Sequence, residues 1–187
     1  MSDTRRKVVN MKLKTKSVAR VEAGRRNKVN GKAAEILVGD ACAVYEAEQV
    51  AMIEKNPEPV HILKAIGDQG GLYIARFEKK AKPDFEGVLH TGQSIIFDVK
   101  CTEKDRIKAS ALSEDQAAYL ERYHNMRALS FILVCLQFKD YYMVPWLNWK
   151  NMKGQYGHMY MSRRELEPYR VTTTGGYIHF LEHIIGG

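Results

Sequence analysis

Apolar residues recur at intervals of three and four from Gly31 to about Lys55, a spacing that places them along one face of an α-helix. Asn56 and Pro57 come next, and the residue before a proline is disfavoured in the helical conformation. The pattern therefore predicts a long amphipathic helix that ends at this pair.

Two β-hairpins are predicted next, because runs of β-branched and aromatic residues are separated by short stretches of glycine and polar residues. The first hairpin turns through the glycine-rich stretch 67–71, and the second turns near Thr91 and Gly92. The four strands are expected at residues 59–66, 72–77, 85–90 and 94–101.

The second half of the chain predicts one more long helix, two strands and shorter helical turns. Ser113 and Gln116 form a capping-box pattern that opens a helix running to about Arg127. The apolar run 130–138 suits a central strand, since strands buried on both faces carry continuous apolar residues. The remaining elements are expected at residues 141–144 (strand), 146–153 (helical turns) and after Ser162 (short helix). This order predicts an α/β fold in which helices flank a mixed β-sheet.

Length and composition indicate one globular domain in a reducing compartment. A chain of 187 residues, 45% of them apolar, can bury a sizeable core. It has no run of about 18 apolar residues that would span a membrane, and no apolar segment of the signal-peptide type at its start. Cys42, Cys101 and Cys135 lack C-x-x-C spacing and are expected to be reduced packing residues. These features predict a cytoplasmic protein with no membrane partner.

Positive charge is concentrated at the N-terminal end. Residues 1–32 contain 11 Lys or Arg and two acidic residues, a net charge of +9, whereas residues 33–187 contain 18 basic and 20 acidic residues, a net charge of −2. Residues 1–29 are predicted to form a basic arm, disordered on its own, that binds nucleic acid by neutralising phosphates, and residues 30–187 to form the folded domain. A solubilising tail or a targeting peptide is the alternative for the arm.

Three charged side chains are predicted to meet where the strands of the second hairpin lie side by side. Asp98 and Lys100 are two apart and share one face, and an antiparallel register with residue sums near 184 sets Asp84 beside them. Two carboxylates this close repel each other unless a cation lies between them, and Mg²⁺ prefers such oxygen ligands. Lys100 would then orient the attacking water of a hydrolytic reaction. Each element alone is common, as a Pro-Asp turn or as the solvated edge of a strand.

These residues resemble a known group of nucleases. Pro83-Asp84 with Asp98-Val99-Lys100 is similar to the P-D-(D/E)-x-K nuclease motif, and the order of features from about Asn30 onward resembles the RecU family of Holliday junction resolvases of bacteria and their phages. The other segments that carry the resemblance are Gly31 with Glu35, Lys55-Asn56-Pro57-Glu58-Pro59-Val60, Asp84-Phe85-Glu86-Gly87, and Asp115-Gln116, where the family has an exposed glutamine.

The resemblance implies a restriction-endonuclease-like fold with a β-hairpin, residues 57–80, that projects as a stalk. It implies a divalent-metal-dependent endonuclease of the bacterial or phage-infected cytoplasm, which nicks four-way DNA junctions symmetrically as a homodimer. Asp84, Asp98 and Glu35 are the implied ligands of Mg²⁺, for which Mn²⁺ can substitute, and Lys100 completes the catalytic set.

Basic residues on both sides of this set are expected to contact phosphates, which positions DNA without reading its sequence. Gln116 is also a candidate, with helix capping as its alternative role. The predicted DNA-binding residues are Arg25, Arg26, Lys79, Lys80, Lys82, Lys104, Arg106, Lys108 and Gln116.

The chain departs from the family pattern in three places. Asp98 stands where a glutamate is usual, the arginine before the glycine of the first helix is missing, and the hairpin tip at 67–71 is short and lacks basic residues. Two other functions stay open: a restriction-like or repair nuclease that acts on other DNA structures, and a non-catalytic DNA-binding recombination factor with a vestigial metal site.

Overall fold

The computed structural model describes residues 29–66, 71–77, 82–174 and 177–185. The strands are β1 (Ala51–Lys55), β2 (Val60–Ala65), β3 (Tyr73–Phe77), β4 (Phe85–Leu89), β5 (Ser94–Thr102), β6 (Arg106–Lys108), β7 (Leu129–Leu136), β8 (Asp140–Pro145), β9 (Tyr160–Ser162), β10 (Thr173–Thr174) and β11 (Tyr177–Ile178). The helices are α1 (29–47 within the described residues), α2 (Glu114–Asn125), α3 (Trp146–Lys150), α4 (Met152–Tyr156), α5 (Arg163–Leu166) and α6 (Glu182–Ile185).

Five strands form the central sheet in the order β1-β4-β5-β7-β8. β5 and β7 run parallel, and the other neighbouring strands run antiparallel. A parallel pair needs a crossover connection, which β6 and α2 supply here. The predicted class, an α/β fold with a mixed sheet flanked by helices, is confirmed.

Each face of the sheet carries its own apolar core. On one face α1 packs through residues such as Val38 against Phe97. On the other face α2 packs through Leu120 against Ile96. Because neighbouring residues of a strand point to opposite faces, Asp98 lies on the same face as Ile96, below the start of α2.

A stack of three phenylalanine rings crosses the centre of the sheet. Phe85 of β4 lies 5.0 Å from Phe97 of β5, and Phe97 lies 4.6 Å from Phe131 of β7, measured between ring centres. Each fully buried ring contributes about 1.5–3 kcal/mol to stability through burial. Since Phe85 follows Asp84 and Phe97 precedes Asp98, the stack fixes the register of the two acidic residues.

The prediction of a helix to Lys55 is wrong at its C-terminal end. α1 ends at residue 47, Gln49 adopts a positive φ of 58°, and β1 follows as an edge strand of the sheet. β1 buries Ala51 and Ile53 between exposed residues. The helix prediction extended through Met52, four residues after Glu48, whereas Met52 is exposed in β1, so the local pattern was too short to separate the two periods.

The other predicted elements are confirmed to within a few residues, but the register of the second hairpin is not. Phe85 lies opposite Phe97, so paired residue numbers sum to 182 and not to about 184. One further step along this register sets Asp84 beside Asp98, and Lys100 lies beyond the pair.

The first hairpin stands apart from the central sheet. β2 and β3 form a separate two-stranded sheet, and every residue of β2 is exposed. The hairpin tip at 67–70, residues 78–81 and the predicted arm up to residue 28 lie outside the described residues. In the part of the chain that the structure describes, none of the helices has the length and apolar character needed to cross a membrane.

Candidate active site

Asp98 is a carboxylate with no exposed surface, at the centre of β5. Its Oδ1 atom accepts a hydrogen bond from Nε2 of Gln116 (2.5 Å). Its Oδ2 atom forms an ion pair with Nζ of Lys100 (2.5 Å). Burial, and next the negative charge of Asp84, raise the pKa of Asp98 to about 7, while Lys100 acts in the opposite direction. The protonation state of Asp98 therefore changes near neutral pH.

Asp84 lies immediately before β4, beside the middle of β5. Its Oδ2 atom accepts a hydrogen bond from the backbone N–H of Val99 (2.8 Å). Burial raises the pKa of Asp84, and the charge of Lys100 is the largest opposing effect. Asn56 holds the main chain here, because its N–H donates to the carbonyl of Asp84 (2.8 Å) and its Nδ2 donates to the carbonyl of Pro83 (2.9 Å). The Asn-Pro segment thus positions the acidic residue.

Glu35 of α1 acts on the same two acidic residues. Its negative charge contributes to the raised pKa of both Asp84 and Asp98, so three carboxylates influence one another. Oε2 of Glu35 lies 2.5 Å from Nζ of Lys55, and this hydrogen bond raises the pKa of Lys55. Lys55 was not predicted to lie at the site, because the predicted helix extended to this residue. The local sequence did not show the strand, because Met52 is apolar and yet lies exposed between buried Ala51 and Ile53.

Gln116 connects Asp98 to the start of α2. Its Oε1 atom accepts a hydrogen bond from the N–H of Ser113 (3.2 Å), which completes a capping box, while its Nε2 atom donates to Asp98. The capping role and the site role that the sequence left open therefore occur in one side chain. The expectation of an exposed glutamine is wrong, because Gln116 is only 8% exposed where α2 packs on the sheet. Both of its ends contact protein groups.

Asp84, Asp98 and Glu35 provide the oxygen ligands that a hard divalent cation prefers, but they are not arranged as a complete coordination site. Among the described residues, no three or more His, Cys, Asp or Glu side chains are grouped so as to hold a metal ion. Glu35 is held toward Lys55 and Asp98 toward Lys100, so two ammonium groups balance the negative charge. The fit rests on Asp98, whose charged form is disfavoured by burial and by two further carboxylates and is only partly stabilised by Lys100. A cation bound to Asp84 and Asp98 would relieve that repulsion.

The predicted phosphate contacts lie on both sides of these acidic residues along the chain. Lys82 is exposed and pairs with Glu86 at 3.6 Å. Three others, Lys104, Arg106 and Lys108, are exposed on β6 and the loop before it. Arg25, Arg26, Lys79 and Lys80 lie outside the described residues.

Residues 29–185 match the sequence model of a family described as RecU: Recombination protein U. No curated protein gives a significant match to the chain. One solved structure that matches is described as the 1.6 Å resolution structure of Archaeoglobus fulgidus Hjc, a Holliday junction resolvase from an archaeal hyperthermophile. It aligns with a TM-score of 0.42 and 10% sequence identity over 71% of this chain and 90% of that chain. A similarity this low carries no argument about function.

Proposed function

The chain belongs to the RecU family, and from that premise we propose that it is a divalent-metal-dependent endonuclease that nicks four-way DNA junctions symmetrically in recombination and repair. The observation that carries the proposal is the convergence of Asp84, buried Asp98 and Lys100 where β4 begins beside the middle of β5. DNA as the substrate also implies a cytoplasmic location in a bacterial or phage-infected cell.

Asp84 and Asp98 would hold Mg²⁺ or Mn²⁺, with Glu35 as a third ligand once its ion pair with Lys55 opens. The cation, when bound, supplies positive charge that stabilises the oxygens of the reacting phosphate. Gln116 fixes the orientation of the Asp98 carboxylate through Oδ1. Lys100, whose ammonium group lies next to Oδ2 of Asp98, would orient the attacking water toward the scissile phosphate.

A homodimer would supply the two active sites that symmetric cleavage requires. A four-way junction offers two equivalent strands, and a two-fold axis presents two equivalent sites to them. The first hairpin supports this arrangement, because Val60, Ile62 and Ile74 are 51%, 58% and 48% exposed. An isolated two-stranded hairpin is marginal in water, and pairing of two hairpins across the axis would cover these residues and form a stalk.

A nicking assay with a four-way junction and a matched linear duplex tests the function. In Mg²⁺ the wild-type protein should nick the junction at symmetric positions and spare the duplex. Asp98→Asn and Asp84→Asn should each lose roughly 100-fold or more of this activity while still binding the junction in EDTA. Asp40→Asn, which changes an exposed acid of α1, is the matched control and should cleave normally.

Three results would count against the proposal in different ways. Full cleavage by Asp98→Asn would remove the assigned site. Equal cleavage of junction and duplex would favour the restriction-like or repair alternative. Junction binding by the wild-type protein without cleavage in either Mg²⁺ or Mn²⁺ would favour the non-catalytic recombination factor.

A further inference from the structure

A cavity of about 290 Å³ opens where the candidate active site ends, between the last residues of β5 and β6. Thr102, which lines it, is two residues beyond Lys100 on β5. Its lining also includes Lys104, Arg106, Lys108 and Ser110. The cavity therefore lies next to the candidate active site along β5.

Three cations converge on the cavity without a carboxylate to balance them. Within the described ranges, Lys104, Arg106 and Lys108 form no ion pair with a carboxylate, whereas the nearby Arg163 pairs with both Asp105 and Asp140. Exposed cations that converge on one cavity favour an anionic ligand. For a protein that acts on DNA, that anion is a backbone phosphate.

Arg106 also ends a column of stacked planar groups on β6 and β9. Its guanidinium carbon lies 5.1 Å from the ring centre of Tyr160, and Tyr160 stacks on His158 with ring centres 3.6 Å apart and planes within 5°. His158 is held at both ring nitrogens, with Nδ1 2.9 Å from the carbonyl of Tyr160 and Nε2 3.2 Å from Oε1 of Glu165. Arg106 is the exposed member of the column that also lines the cavity, so a ligand there meets its planar group.

We propose that this cavity binds one unpaired nucleotide of the strand being cut, next to the scissile phosphate; the proposal rests on the proposed nuclease function. The phosphate would lie between Lys104 and Lys108, and the base would stack on Arg106 and lengthen the column by one group. Guanidinium planes and aromatic rings stack on bases without reading their sequence.

Size and charge favour an unpaired nucleotide over a segment of duplex. The volume lies just below the usual range for ligand pockets, roughly 300–1,000 Å³, which favours one nucleotide over a larger segment. The phosphates of a DNA duplex would contact only Lys104 and Lys108. The stacked column behind Arg106 instead offers a planar surface on which an unstacked base can lie. Bases leave the stack at least cost where pairing is already disturbed.

Binding of a 12-nucleotide oligothymidylate in EDTA, measured by fluorescence anisotropy, tests the subsite without cleavage. Arg106→Ala should lower affinity roughly 5- to 100-fold, as expected when one base no longer stacks. It should also reduce the slope of log affinity against log salt by about one. Arg106→Lys keeps the positive charge but loses the planar guanidinium group. Its slope of log affinity against log salt should therefore stay unchanged, while most of the affinity is lost. Tyr160→Phe, which keeps the ring, should bind normally, and Tyr160→Leu should not.

Arg122 provides the matched control, because its guanidinium carbon lies 4.4 Å from the ring centre of Tyr119 on α2, away from the cavity. Arg122→Lys should bind the oligonucleotide as the wild-type protein does. Arg106 is exposed, so equal thermal unfolding midpoints of its variants will show that folding is retained.

Normal binding by Arg106→Ala, or equal losses in Arg106→Lys and Arg122→Lys, would overturn the subsite. Failure of the wild-type protein to bind the oligonucleotide would overturn it as well. Junction nicking is scored separately. If nicking is absent while the Arg106 variants lose affinity, the nuclease proposal fails and the cavity is still a nucleotide site; if nicking is normal and affinity unchanged, only the subsite fails.

Discussion

At the residue scale, Asp98 places an ionisable group where a sheet normally carries an apolar one. Its neighbours on β5, Phe97 and Val99, are both buried in the opposite core. Loss of water disfavours the charged form of a carboxyl group, and Lys100 and Gln116 offset that effect with direct contacts. The raised pKa shows that the offset is incomplete. Folding therefore favours a protonated Asp98, whereas cation binding requires the ionised form.

The metal-free protein should lose stability as the pH rises toward 7. Because the pKa of Asp98 is raised from 3.8 to about 7, the folded state holds a proton that the unfolded state releases. The resulting stabilisation is fully present below pH about 4 and is lost as the pH rises through about 7. Asp98→Asn cannot ionise and should gain stability relative to the wild-type protein over this window, about 4 kcal/mol in urea unfolding with EDTA.

Asp40→Asn serves again as the control and should follow the wild-type curve, because Asp40 is exposed on α1. A stability difference between Asp98→Asn and the wild-type protein that stays constant from pH 4 to pH 8 would contradict the raised pKa of Asp98.

Gln116 allows helix capping and active-site positioning to be separated. Ser113→Ala removes the hydroxyl that accepts the N–H of Gln116 and should cost about 1 kcal/mol of stability with little effect on nicking. Gln116→Glu keeps an oxygen for the capping box but sets a carboxyl group against Oδ1 of Asp98. A second carboxyl group beside Asp98 raises the pKa of Asp98 further, so the ionised form that binds the cation appears only at higher pH. In a pH–rate profile, nicking by this variant should therefore fall at pH 7 and recover at higher pH. An unchanged profile would show that Gln116 only caps the helix.

At the element scale, β1 shows why part of the site could not be predicted from the sequence. Met52 lies four residues after Glu48 and continues the helical spacing, so Lys55 was assigned to the wrong element. The two site acids were still predicted to lie close together although the register was wrong. The predicted sums of paired residue numbers differ from the observed sums by two, and a shift of two leaves each side chain on the same face of the sheet. The contact of Gln116 with Asp98 depends on how α2 packs against β5, which no local pattern encodes.

Gly87 marks the closest approach of β1 to β4. A Cβ atom added there would lie 2.1 Å from the carbonyl oxygen of Met52 and 2.7 Å from Cα of Ile53. Gly87→Ala should therefore destabilise the protein by about 1–3 kcal/mol in urea unfolding, because the two backbones must separate. Lys55 lies on the displaced strand, so nicking should also fall.

Gly39 is the matched control for this substitution. It lies within α1, and a Cβ atom at its position would have nothing within 4 Å. Gly39→Ala should raise stability by about 1 kcal/mol, because alanine favours a helix interior over glycine. Opposite signs for the two variants are expected, and a stabilising effect of Gly87→Ala would contradict the close approach of the strands.

At the scale of the whole molecule, charge is divided between residues 1–32, with a net charge of +9, and residues 33–187, with a net charge of −2. Deleting residues 1–24 removes seven basic residues, so affinity for junctions should fall. The salt slope should become shallower by about 0.9 for each phosphate that the arm no longer neutralises. An arm of the same composition in scrambled order should restore both. Selection of junctions over duplex should survive the deletion, and an unchanged salt slope would mean that the arm does not bind DNA.

The first hairpin should decide both the oligomeric state and the selection of junctions. Val60→Thr, Ile62→Thr and Ile74→Thr, combined in one protein, keep β-branched side chains but remove the exposed apolar surface that a dimer would cover. In sedimentation at micromolar concentration the wild-type protein should be a dimer and the triple variant a monomer. Met126→Gln removes an 84% exposed apolar side chain elsewhere and should remain a dimer.

The same triple variant separates assembly from chemistry, because the hairpin forms a sheet of its own and Asp84, Asp98 and Lys100 belong to the central one. Loss of pairing should abolish symmetric cuts and the preference for junctions while leaving a slow, metal-dependent nicking of any DNA that reaches the site. A wild-type monomer that resolves junctions fully would reject the dimer. A triple variant that is monomeric yet still prefers junctions would place shape selection in the central domain and leave the hairpin without the stalk role.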